Sequence, residues 1–228
     1  MRKVLFITLL LLTSSVGFAQ YYYDRSKTSQ NETDYSRFIS LGWDFNVPLS
    51  NAQFIGATSS AGVRLSYRKR LSEMDNLWTG FDFGAASYSQ YTPYQTYYST
   101  SSATSSDFHN YAVVYSLNFS LDYFFVPLEK KVAPFLGVAI GAAASRFSQY
   151  YNVNKAADDE WGVQVRPELG LLFSPWTNPA WKIKMSAHYD YASNSSAFAK
   201  NNFLLLKGSE YRNFTSAGFQ IAVVRMIR

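Results

Sequence analysis

The sequence predicts an all-β chain, an eight-stranded antiparallel up-and-down barrel whose strands cross a membrane. Three observations carry that expectation. First, apolar residues alternate with small or polar ones in eight separate segments between residues 37 and 228, which gives each segment one apolar and one polar face. Second, the connections alternate between short and long, and both ends of the 37–228 stretch fall on the short side, the arrangement of a membrane barrel. Third, Tyr and Phe each occur 18 times while the mean hydropathy is −0.16. The apolar content after residue 20 is therefore aromatic and dispersed, and nowhere gathers into the run of about 20 residues that a membrane helix needs.

The N-terminal element comes before the strands. Arg2 and Lys3 precede an apolar run over 4–12, and Gly17 and Ala19 flank Phe18. A charged start, a short apolar stretch and small residues at a cleavage site make an export signal, so residues 1–19 are expected to be a signal peptide. Residues 20–36 are mostly polar beyond the tyrosines at 21–23 and are expected to be a flexible N-terminal segment, leaving 37–228 as the barrel. Loss of Arg2 and Lys3 takes the formal charge from +5 to +3, too small an excess for a nucleic-acid footprint. The chain has no Cys, which excludes a disulfide framework.

Strand one sets Ile39, Leu41, Trp43, Phe45 and Val47 against Ser40, Gly42, Asp44 and Asn46. In strand two, Val63, Leu65 and Tyr67 oppose Gly62, Arg64, Ser66 and Arg68, and in strand three Leu77, Phe81, Phe83 and Ala85 oppose Gly80, Asp82, Gly84 and Ala86. Strand four alternates without interruption over 111–125, about twice the common strand length and enough to cross a bilayer at a tilt. Strand five opposes Leu136, Val138 and Ile140 to Gly137, Ala139 and Gly141; strand six opposes Val163, Val165, Leu169 and Leu171 to Gln164, Arg166, Glu168 and Gly170. Strand seven sets Trp181, Ile183, Met185 and Tyr189 against Lys182, Lys184, Ser186, His188 and Asp190; strand eight sets Phe219, Ile221 and Val223 against Gly218, Gln220 and Ala222. Thr79 and Pro167 interrupt the apolar faces.

The short connections are 72–76, 128–132 and 174–179, and the long ones are 48–60, 88–110, 147–160 and 193–212. Trp78, Trp161, Trp176, Trp181, Tyr123, Phe124, Phe125, Tyr150 and Tyr151 lie near strand ends, where a membrane barrel carries its aromatic girdles. The end of the leader at 18–20, the Gly-rich stretch 133–142 and the stretch 165–171 resemble the small outer-membrane β-barrel family of Bacteroidota, of the OmpX and OmpA transmembrane-domain type. The resemblance runs from about residue 37 onward. It implies the barrel fold and the cell outer membrane as location, and hardly constrains activity.

An eight-stranded barrel is just wide enough for side chains to fill it. The face opposite the apolar one carries Arg64, Arg68, Arg166, Lys182 and Lys184 together with Asp44, Asp82, Asp122, Glu168 and Asp190. Unpaired buried charge is far costlier than paired charge, so these residues are expected to form a salt-bridged, closed lumen, with Gly80, Gly84, Gly137 and Gly141 leaving room for the long side chains. His188 joins that set as a lumen residue bonded to Asp190 or another carboxylate. Ser193 falls on the opposite strand face, so a Ser–His pair is not expected. His109 lies at a loop end. With no metal-ligand cluster, phosphate loop or nucleophile elbow in the sequence, no catalytic residue, metal or cofactor is expected.

In the connection after strand three, Tyr91, Tyr94, Tyr97 and Tyr98 are the candidate surface-contact residues, extending the hairpin above the membrane. The Ser/Thr-rich half over 99–106 is expected to be mobile. Together these features predict a non-enzymatic structural or surface-interaction barrel. Its expected partners are outer-membrane lipid, lipopolysaccharide and a protein at the extracellular loops, with no role for nucleic acid. Second readings are a small solute or ion conduit, a subunit of a larger envelope complex, and, last, a lipid-modifying enzyme.

Overall fold

A computed structural model of the chain describes residues 35–50, 54–71, 74–98, 103–151, 154–194 and 213–228. The signal peptide, residues 20–34 of the N-terminal segment and most of the 193–212 connection lie outside the described residues. Among the described residues there are eight strands and no helix. They are β1 (Arg37–Pro48), β2 (Ser59–Leu71), β3 (Met74–Tyr98), β4 (Ala103–Phe124), β5 (Val132–Tyr151), β6 (Asn154–Phe173), β7 (Trp181–Ala192) and β8 (Phe214–Ile227). Each pairs antiparallel with its chain neighbours, and β8 pairs with β1 to close the ring. Closure removes every sheet edge within the barrel wall, which is what lets strands sit in a medium that cannot hydrogen-bond.

The register fixes the shape. Stepping from Ile39 through Tyr67, Phe81, Phe119, Ile140, Val165, Tyr191 and Thr215 leads back to β1 at Leu49, whose amide donates to Thr215 O at 2.8 Å. The path closes 49 minus 39, or ten residues, from its start. A stagger of that size in eight strands tilts them by about 40° to the barrel axis and leaves an interior that side chains fill.

Every residue on that path points outward, and the period-two pattern sorts the rest. Burial alternates strictly along β1 and β7, with Leu41, Trp43, Phe81, Leu117 and Phe119 on the outside at 50% exposure or more. Thr79 faces outward without leaving a bare hydroxyl, because its Oγ1 donates to Ser120 O at 3.2 Å. The partners between β6 and β7 run to Val165–Tyr191 and resume at Glu168–His188. The gap spans Pro167, which has no amide proton to donate.

Two connections differ from expectation. The stretch 88–110 is mostly strand: β3 runs to Tyr98 and β4 starts at Ala103, so residues 103–106, expected to be mobile, are paired. The stretch 147–160 is a hairpin too, with Tyr151 opposite Asn154. Polar and hydroxyl-rich residues carry no apolar alternation for the eye to follow, yet ladder hydrogen bonds need only the backbone. Four strands, β3 to β6, therefore continue beyond the end of β7 as a protruding sheet.

Candidate functional site

The alternation that turns apolar residues outward turns the charged ones inward. Asp44, Arg64, Arg68, Asp82, Asp122, Arg166, Glu168, Lys182, Lys184, His188 and Asp190 are all buried in the lumen, and ten of the eleven join a middle layer of bonds. Arg68 lies between two carboxylates: its Nη1 and Nη2 donate to Asp82 at 2.8 and 3.1 Å, and its Nε donates to Asp122 at 2.7 Å. Arg166 bridges Asp44 at 3.2 Å and Asp190 at 3.1 Å, and Arg64 reaches Asp44 at 3.2 Å. Lys184 pairs with Glu168 at 2.9 Å, and Ser186 donates to the same carboxylate. Lys182 departs from the expectation. Two residues nearer the 174–180 turn than Lys184, it lies below the carboxylates and donates to Ser174 Oγ at 2.5 Å.

Uncharged side chains complete the layer. Gln220 donates to Asp44 Oδ1 at 2.7 Å, Gln164 to Asp190 Oδ1 at 2.8 Å, and Asn118 to Gln164 at 3.2 Å. His188 Nε2 lies 2.8 Å from Asn46 Oδ1 and 3.5 Å from Asp190 Oδ2, so its nearer partner is an amide rather than a carboxylate. Ser193 faces the other way, accepting from the Val163 amide at 2.9 Å. Asn46, Asn118, Gln164 and Gln220 sit at inward positions of the same period, a signal that charge alone does not reveal. Of the glycines expected to make room, two do so for charged side chains. A Cβ at Gly84 would meet Arg64 Nη2 at 2.8 Å, and one at Gly137 would collide with the Asp122 carboxylate. Gly80 and Gly141 instead admit the backbone of the next strand, at Tyr67 and Leu117.

The middle layer lies between two apolar clusters. On the termini side, Phe38, Trp78, Phe124, Leu128, Phe135, Leu172, Val224 and Met226 close the barrel, with Tyr35 packed against them. Trp78 and Phe124, expected in an outer girdle, are each 2% exposed and face the lumen. Their position in the alternation is inward, and a strand end does not change the parity. On the opposite side, Tyr88, Ala112, Val114, Phe147 and Phe214 meet Phe54 and Ile55, which come from the β1–β2 connection. Asn110 Nδ2 donates to Phe54 O at 2.9 Å and receives Gln149 Nε2 at 2.9 Å on its own oxygen. Between this stopper and the charged layer is a cavity of about 20 Å³ lined by Arg64, Tyr88, Arg166 and Asp190, room for about one water molecule.

The outer face of the protruding sheet carries a second cluster. Register places Tyr91, His109, Tyr150 and Lys155 side by side across β3 to β6. The Tyr91 and His109 rings lie 4.6 Å apart, Tyr150 meets Tyr111 edge-on at 5.6 Å, and Lys155 Nζ sits 5.2 Å over the Tyr150 ring. Nearer the barrel, Arg146 makes a bidentate pair with Asp159 at 2.5 and 2.6 Å, whose hydrogen bonds hold the Asp159 carboxyl below its ordinary range. Of these residues His109, Tyr111, Arg146, Tyr150 and Lys155, together with Val113 and Ser148, line an open groove of about 580 Å³. Among the expected contact residues, Tyr91 and Tyr94 are 54% and 68% exposed. Tyr97 and Tyr98 lie in the β3–β4 ladder, and their side chains fall outside the described residues. His109, expected at a loop end, is a strand residue whose ring packs at a tilt against Tyr91. Its pairing across four strands had no signal in the sequence.

No protein-family model matches the sequence, and no curated protein matches it. Solved structures share its architecture. Neisserial surface protein A superposes with a TM-score of 0.52 at 16% identity, covering 84% of this chain and 97% of that one. Ail, the attachment invasion locus protein of Yersinia pestis, crystallised with the heparin analogue sucrose octasulfate, gives 0.46 at 13% identity over 85% and 99%. The outer membrane protease OmpT of Escherichia coli gives 0.45 at 9% identity over 89% and 99%. The likeness is one of fold: this chain has the closed antiparallel barrel of small outer-membrane proteins.

Proposed function

We propose that the protein is an exported outer-membrane barrel with a closed lumen, acting without catalysis as a structural and surface-interaction protein through the side opposite its termini. The observation that carries this reading is the three-layer filling of the lumen. Among the described residues, a bonded charge layer lies between two apolar clusters, and the cavity beside it, of about 20 Å³, is too small for solute passage. Membrane placement is supported by the outward belt of Leu, Ile, Val and aromatic residues around all eight strands, far more contiguous apolar surface than soluble monomers expose. The non-catalytic reading is supported by the enclosure of His188 between Asn46 and Asp190, with the Ser193 hydroxyl on the opposite face. Surface interaction is supported by the exposed tyrosines and the groove at His109, Tyr111, Tyr150 and Lys155.

Planar-bilayer recording tests the carrying observation. The refolded chain is expected to give no reproducible single-channel conductance. Conductance that changes on Arg166→Gln or Glu168→Gln would replace this reading with a conduit. Heat-modifiable migration in detergent is expected in parallel, and a chain soluble and folded without detergent would overturn the membrane placement. For the surface role, pull-down from solubilised membranes is expected to recover a partner that Tyr91→Ala, Tyr94→Ala loses.

A further inference from the structure

On the termini side of the outer surface, Arg37 stands directly opposite Lys69 across the β1–β2 ladder. On the other flank of β1, Arg225 of β8 is the partner of Ile39, two residues along from Arg37. All three side chains are exposed on the outward face. Opposed residues in such a ladder lie about 5 Å apart and diagonal ones about 7–8 Å, so the three cations share one small patch, where like charges in direct opposition destabilise the pairing. Among the described residues none of the three makes an ion pair. One direct opposition of positive charge, with a third cation on the diagonal and no carboxylate paired to any of them among the described residues, makes a patch suited to an anion from outside the chain.

The location selects the anion. Along the same outward faces the next residues are Ile39 and Leu41 on β1, Tyr67 and Leu65 on β2, and Val223 and Ile221 on β8, all 38% exposed or more. The cations therefore mark the edge of the apolar belt, where long stems lie along hydrocarbon while their heads reach the headgroup layer. Arg225 is held there by Trp181, its guanidinium carbon 4.8 Å from the ring centroid, and Trp is itself a residue of membrane interfaces. We propose that Arg37, Lys69 and Arg225 form a site for the phosphate of an anionic phospholipid in the leaflet on the termini side. The inference rests on the membrane reading given above and adds the lipid class and the residues that hold it.

Reconstitution of the full chain in phosphatidylcholine nanodiscs containing spin-labelled phosphatidylglycerol or spin-labelled phosphatidylcholine measures the relative association of the two lipids. Near a membrane surface each basic residue favours an anionic lipid by up to about fivefold. The parent chain is expected to prefer phosphatidylglycerol on the order of fivefold or more, with the preference shrinking in high salt. Arg37→Gln, Lys69→Gln is expected to lower it several-fold, Arg225→Gln alone to lower it in part, and the three substitutions together to bring it close to unity. Equal association of both lipids with the parent, or an undiminished preference in the double variant, would overturn the site. Titration of the nanodiscs with inorganic phosphate is expected to give no saturable heat, and a saturable heat lost in the double variant would reassign the patch to free phosphate. Heat-modifiable migration of each variant reports that it has folded. A chain that does not enter nanodiscs at all refutes the membrane reading, an outcome distinct from a chain that enters and shows no lipid preference.

Discussion

Arg68 satisfies two carboxylates at once, Asp82 through both terminal nitrogens and Asp122 through Nε. Its side chain is 1% exposed, so neither acid has water to fall back on. Breaking a buried pair from one side costs about 3–5 kcal/mol, mostly from the charge left behind. Arg68→Met is expected to lose stability of that size in urea unfolding from bilayers, and to recover much of it when Asp82→Asn and Asp122→Asn are added. A single variant as stable as the parent would show that the triad is not held as described. Arg146 provides the contrast. It also makes a bidentate pair, with Asp159, but on the solvated face of the protruding sheet, where screening leaves little net stabilisation. Because the Asp159 carboxyl is held below its ordinary range, the pair's contribution is present at neutral pH and is lost only as pH falls through that lowered value. Asp159→Asn is expected to leave the unfolding midpoint unmoved.

Among the elements, the β1–β2 connection does what no strand does: it turns Phe54 and Ile55 back into the barrel mouth. Two buried apolar side chains of this kind contribute about 1.5–3 kcal/mol each, and the Asn110 bond to Phe54 O ties the backbone down. The chain has no native Cys, so a single Ala112→Cys, placed at a fully buried position under the stopper, reports access directly. Labelling by a membrane-impermeant maleimide is expected to be slow in the parent and faster by roughly tenfold or more in Phe54→Ser, Ile55→Ser, because local opening becomes cheaper by well over the 1.4 kcal/mol that a factor of ten requires. Equal rates would mean that Phe54 and Ile55 do not control access to the barrel mouth.

At the scale of the molecule, the barrel carries its buried charge within, between two apolar clusters, and a belt of apolar side chains on its outer wall. On the proposed membrane placement, a substitution on the outer wall acts through its depth in the bilayer, whereas one in the lumen acts through burial inside the protein. An Arg on the lipid face costs about 2–4 kcal/mol near the midplane and about 0–1 at the interfaces. Phe119→Arg, in the middle of the belt, is expected to lose that larger amount on unfolding from bilayers. Tyr91→Arg, on the protruding sheet above it, is expected to lose almost nothing. A similar cost at both positions would contradict the membrane placement. The protruding sheet extends the same ladders past the belt, so the groove at His109 and Tyr150 is carried on a rigid continuation of the wall.

The eight strands and the inward set from Asp44 to Asp190 were legible in the sequence because strand side chains alternate with a period of two. One correct residue fixes the face of every other in its strand. The same rule sets Phe124 on the face of Asp122 and, applied at Trp78, sets that residue inside too; only their position near strand ends suggested a girdle. The reach of β3 to β6 was not legible, since Ser- and Thr-rich chain shows no alternation while its backbone pairs as well as any other. What only the tertiary structure decided was which groups meet across the barrel. That Arg68 takes Asp82 and Asp122 and that Arg166 joins Asp44 to Asp190 follow from the ten-residue stagger of the closed ring, while the β1–β2 unit alone sets Arg37 against Lys69 and turns Phe54 into the mouth. Parity assigns a face, but only the register of all eight strands together sets the height at which each side chain stands.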